Sequence, residues 1–117
     1  MSVITQNQFG SVEITAKYLA DVAGYAATKC YGVVGMVVRG RKDGIAKLLR
    51  IDNMDKGVKI HTGDNTVSID LFIMVEYGVS INTVCQSIKN SVKYQVESVT
   101  GQTVKEVNVF VESVRVD

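Results

Sequence analysis

The chain has 117 residues, 46% hydrophobic and 21% charged, with a formal net charge of +1 and two cysteines. That length suits one domain with its own core, near-neutral charge gives no general pull toward nucleic acid or anionic membrane, and two cysteines make no disulfide framework. No apolar run approaches the ~18–20 residues that span a bilayer, and no charged-then-apolar leader opens the chain. The expected location is therefore cytoplasmic, without direct membrane insertion.

Met1 to Gln8 is polar and without period, and reads as a flexible terminus ahead of a single domain over 9–117. Phe9 to Ile14 alternates as a short strand, and Thr15 offers its hydroxyl as a helix N-cap. Leu19, Val22, Ala23, Ala26 and Cys30 then form one helical stripe. The helix is expected to run to about Tyr31, with Gly32 ending it in the left-handed conformation. Gly24 inside it is expected to admit a neighbouring backbone.

Val33 to Val38 is β-branched and continuous, a strand with at least one covered face. Residues 39–56 form the one long connection, where a one- or two-turn helix is expected because a structureless loop of that length is uncommon. Val58 and Ile60 alternate with Lys59 and His61, and Gly63-Asp64 reads as a hairpin turn. The return strand points Val67, Ile69, Leu71, Ile73, Val75 and Tyr77 one way and Ser68, Asp70, Phe72, Met74 and Glu76 the other.

Ser80 or Asn82 caps a second helix with the stripe Ile81, Val84, Cys85, Ile88, Val92, Val96 and Val99, ending at Gly101. In the last strand, valine parity shifts between Val104 and Val107 and again between Val111 and Val114. A strict period of two forbids this, which predicts a bulge or bend at one of those points. The order β-α-β-β-β-α-β, with single-faced helices, gives a two-layer α/β sandwich: two helices on one face of a mixed sheet.

Residues for chemistry are few. His61 is the lone histidine, with no ligand set near it in sequence for a metal, which needs three or four. Cys30 and Cys85 sit within the helical stripes and read as reduced core thiols. No nucleophile–base pair or cofactor loop is present, so no catalytic residue, small-molecule substrate or cofactor is expected. Arg39, Arg41 and Lys42, spaced by Gly40, resemble a small anion-binding loop, but three phosphate contacts give a salt slope of only about −2.7. No aromatic is interleaved there for base stacking, and a solvated loop is the simpler reading. Nucleic acid is the weaker alternative.

One departure from pattern is more informative. Phe72, Met74 and Phe110 stand among Ser68, Asp70, Glu76, Asn108 and Glu112, which mark the face away from the helices. If the fourth and last strands are neighbours, the three make one apolar patch there. Either the 39–56 segment covers it with Ile45, Leu48 and Leu49, or it is an oligomer or partner surface.

The run Gly10-Ser11-Val12-Glu13-Ile14 leading into a helix, then Gly32-Val33-Val34-Gly35-Met36, Gly57-Val58-Lys59-Ile60 and Val67-Ser68-Ile69-Asp70-Leu71 resembles the alkaline shock or envelope stress response family of Gram-positive bacteria. Val75-Glu76-Tyr77-Gly78-Val79-Ser80-Ile81 and the stretch from Thr100-Gly101 to Val111 continue the resemblance, which covers about residues 9 to 114. It implies a cytoplasmic protein without catalytic activity, a homo-oligomer, in some members held at the membrane by a separate anchoring protein. Long polar tails found in some members are absent, so the chain resembles the short form. No catalytic motif carries over.

Overall fold

The computed structural model describes residues 2–7, 10–39, 44, 46–63 and 65–116; for 2–7, 10–14, 39, 46, 51 and 52 it is the backbone that is described. The elements are β1 (Ser2–Asn7), β2 (Gly10–Thr15), α1 (Ala16–Thr28), β3 (Val33–Arg39), β4 (Ala46–Leu48), a 3-10 helix (Ile51–Gly57), β5 (Val58–Gly63), β6 (Thr66–Glu76), α2 (Ile81–Thr100) and β7 (Thr103–Arg115). The predicted order β-α-β-β-β-α-β is present, with β1 and β4 added to it.

Both helices begin where a hydroxyl meets orphan amides. Thr15 Oγ1 accepts from Tyr18 N at 3.2 Å, and Ser80 Oγ accepts from Thr83 N at 3.4 Å. Gly101 closes α2 at φ 71°. Helix α1 stops sooner than its composition suggests, at Thr28 with Lys29 as its cap. Gly32 does adopt φ +87°, but to bring its backbone against α2: a Cβ there would sit 2.9 Å from Val84 Cγ2. Gly24 meets side chains rather than backbone, with Met54 Cγ 3.4 Å from the position of its absent Cβ.

Strand β6 is the spine of a five-stranded sheet. Along one edge it pairs in parallel with β7 from end to end. Its other edge is shared, Thr66–Leu71 pairing antiparallel with β5 and Ile73–Val75 with β3, which β4 extends. The parallel pair is joined through α2, the crossover such pairing requires. In the β5–β6 hairpin Gly63, expected in the turn, still pairs with Thr66, and Asn65 takes the turn at φ 58°; Asp64 lies outside the described residues. Register shifts fall at both points of valine parity change, between Val104 and Glu106 and between Val111 and Ser113.

The core lies between this sheet and the helices. Val67, Ile69, Leu71, Ile73 and Val75 of β6 are at most 1% exposed, against Leu19, Ala23 and Ala27 of α1 and Ile88, Val92 and Val96 of α2. Helix α2 packs over β7, and α1 over β3 and β5. Cys30 and Cys85 are free and only partly buried, at the margins of this layer rather than in its centre. Tyr77 lies beyond β6 and is exposed, so the inward series ends at Val75. Ser2–Asn7, expected to be a flexible terminus, is antiparallel to β2 from Ser2↔Thr15 to Asn7↔Gly10. The β-branched Val3, Ile4 and Thr5 suit that strand despite their polar neighbours.

Candidate interaction surface on the open sheet face

Alternation along β5, β6 and β7 sends one set of side chains away from the helices. In register across the three strands these are Lys59, Asp70 and Asn108, then Phe72 beside Phe110, then Met74 beside Ser113. The adjacency on which the apolar patch depends is therefore present. Phe72 and Phe110 stack with ring centroids 5.0 Å apart and planes 14° off parallel. Phe110 is 44% exposed, and Phe72 and Met74 are half-buried. Lys59 Nζ lies 5.4 Å from the Phe72 ring centre, a cation over an aromatic face.

Beside the rings lies a polar cluster that no local motif announces. Asn108 Nδ2 donates to Asp70 Oδ1 at 3.0 Å, and His61 Nε2 lies 3.1 Å from Asp70 Oδ2. The Asn108 hydrogen bond, more than any other influence, holds the Asp70 carboxyl below its ordinary range. His61 and Lys59 pull the same way, and partial burial opposes them. Strand alternation placed Asp70 and Asn108 on one face, but nothing local joined His61 to them. Among the described residues no three His, Cys, Asp or Glu side chains come together as a metal set.

The described part of the 39–56 segment leaves the stacked pair partly open, with Phe110 44% exposed. Leu49 turns toward the core, and Leu48, 48% exposed, lies over Gly35, its Cδ1 3.0 Å from where a Cβ would stand. Ile45 lies outside the described residues, as do Arg41 and Lys42 of the anion-binding loop. Of Arg39 the backbone alone is described, at the end of β3. The helix layer has its own groove, of about 520 Å³, whose lining includes Tyr18 and Tyr25 of α1, Gln95 and Val99 of α2, and Met54.

Residues 4–116 match the model of the alkaline shock protein 23 family, described as having a cell envelope-related function. The chain belongs to that family. It is 38% identical to the uncharacterized protein YloU of Bacillus subtilis, over 99% of this chain and 98% of that one. It is 29% identical to a stress response regulator gls24 homolog of Streptococcus pyogenes, over 91% of this chain and 59% of the relative. The solved MamM CTD domains align over 81–84% of this chain at 14–16% identity with TM-scores of 0.47–0.49, too slight a likeness to bear on function. No helix among the described residues is long and apolar enough to cross a membrane.

Proposed function

We propose that this member of the envelope-related family is a non-enzymatic interaction module, and that it self-associates and binds partners through the open face of its sheet. One observation carries the reading: the stacked Phe72–Phe110 pair, Phe110 44% exposed and Phe72 half-buried, stands on the face opposite both helices. A core needs no aromatic pair there, and burying such rings in a contact gains more than aliphatic area alone. Aromatic and methionine side chains within a polar border are the usual make-up of a contact centre. Here Met74 adjoins the rings, and Asp70, Asn108 and Lys59 border them.

The working place that follows is the cytoplasmic side of the envelope, with attachment to the membrane through a protein partner rather than by insertion. The family description and the regulator among the relatives support the envelope stress setting. Sedimentation velocity over a concentration series tests the contact surface. Wild type should gain mass as concentration rises, and the Phe72→Asp/Met74→Asp variant should stay at the lowest mass. Equal mass for both, together with equal capture of partners from membrane fractions, would overturn the proposal.

A further inference from the structure

Next to the stacked rings the open face dips into a groove of about 280 Å³ lined by Val37, Val38, Lys56, Lys59, Phe72 and Glu112. Its base is hydrocarbon. Val38, 38% exposed, and Phe72 supply its accessible hydrocarbon, while Val37, on the outward parity of β3 beside core-facing Met36, is itself closed to water at 1% exposed. Its rim on the β5 side is cationic. Lys56 stands in the last turn of the 3-10 helix and Lys59 near the start of β5, both exposed. Neither ammonium makes an ion pair with a described residue. Glu112, at the second β7 bulge, is the carboxylate among the described lining residues and has a contact of its own. The six residues therefore enclose an apolar floor under a net positive rim.

We propose that this groove receives an acidic peptide segment of a partner protein, with an apolar side chain on Val38 and Phe72 and flanking carboxylates on Lys56 and Lys59. The inference rests on the open face being the contact surface and names the chemistry of what docks there. A free anion would gain nothing from the hydrocarbon floor, and a basic segment would meet two ammonium groups. Lys59, already drawn over the Phe72 ring, is placed to form its carboxylate contact where an incoming side chain excludes water, which strengthens it.

The test uses the full ¹⁵N-labelled chain and three probes: a capped Asp-Glu-Phe-Glu-Asp peptide, a capped Lys-Lys-Phe-Lys-Lys peptide, and an oligothymidylate. The acidic peptide should shift the amides of Val37, Val38, Lys56, Lys59 and Phe72, and bind more weakly as salt is raised. Lys56→Gln/Lys59→Gln, two exposed changes that leave the spectrum dispersed, should weaken it about tenfold, as expected for two rim charge pairs. Equal or tighter binding of the basic peptide, an oligothymidylate that matches the acidic peptide, or shifts confined to other residues would overturn the inference. If the acidic peptide fails while Phe72→Asp/Met74→Asp still abolishes association, the groove inference alone falls. If both fail, the open-face reading falls with it.

Discussion

The two sides of β6 share one backbone and one period yet answer to different demands. Toward the helices it presents Val67, Ile69, Leu71, Ile73 and Val75, all aliphatic and all closed to water. Toward the open side it presents Ser68, Asp70, Phe72, Met74 and Glu76, all half-buried. The inward set is interchangeable chemistry selected for volume. The outward set mixes hydroxyl, carboxylate, ring and thioether, which no packing requirement asks for. Substitutions on the first side should register in folding, and on the second in association.

The largest test of that division is Ile88→Ala, which opens a cavity where α2 meets the sheet. It should cost about 2–5 kcal/mol in denaturant unfolding. A loss under about 1 kcal/mol would remove the helix-facing side as the seat of stability. Gly32→Ala comes next: it forces a Cβ into a left-handed conformation and against Val84. About 1–3 kcal/mol should be lost by the same measurement, and no loss would mean that the α1–β3 corner is slack.

Smaller effects read the open side. A carboxyl whose folded pKa lies below its unfolded one, as for Asp70, stabilises the fold above the unfolded value, about 4. That contribution disappears as pH falls through the lower folded value. Asp70→Asn should therefore cost about 1 kcal/mol at neutral pH, a charged hydrogen bond discounted for partial exposure. The gap from wild type should close below about pH 4. A gap that stays constant through acid would refute the role assigned to Asn108 and His61. Gly24→Ala should stabilise by about 0.5–1 kcal/mol through helix propensity, since its Cβ meets Met54 at ordinary contact distance. A destabilised variant would show that α1 packs more tightly than that spacing implies.

The helix-facing side was the more legible in the sequence, because it is built from periods. The stripe of α2 from Val84 to Val96, the inward series of β6 up to Val75, and Ser80 and Gly101 at the ends of α2 are local signals. So are the valine parity breaks, each of which proved to be a bulge. What escaped depends on pairing between distant segments. Three-residue β4 exists through Val37↔Leu48 to Arg39↔Ala46 and has no period of its own. The Asp70 cluster joins residues nine and thirty-eight positions apart. Parity placed Phe72 and Phe110 on one face, but their register came from the crossover through α2. Glycine misled twice, because at Gly32 and Gly24 the constraint is set by what packs against the backbone, not by where the helix ends.

The central claim is that stability and association lie on opposite sides of β6. Phe110→Asp measured twice, in denaturant unfolding and in sedimentation, tests it most directly. The account predicts an unfolding free energy within about 1 kcal/mol of wild type, as for a surface change, together with loss of the concentration-dependent gain in mass. Intact association, or a collapse of the fold comparable to that of Ile88→Ala, would contradict it.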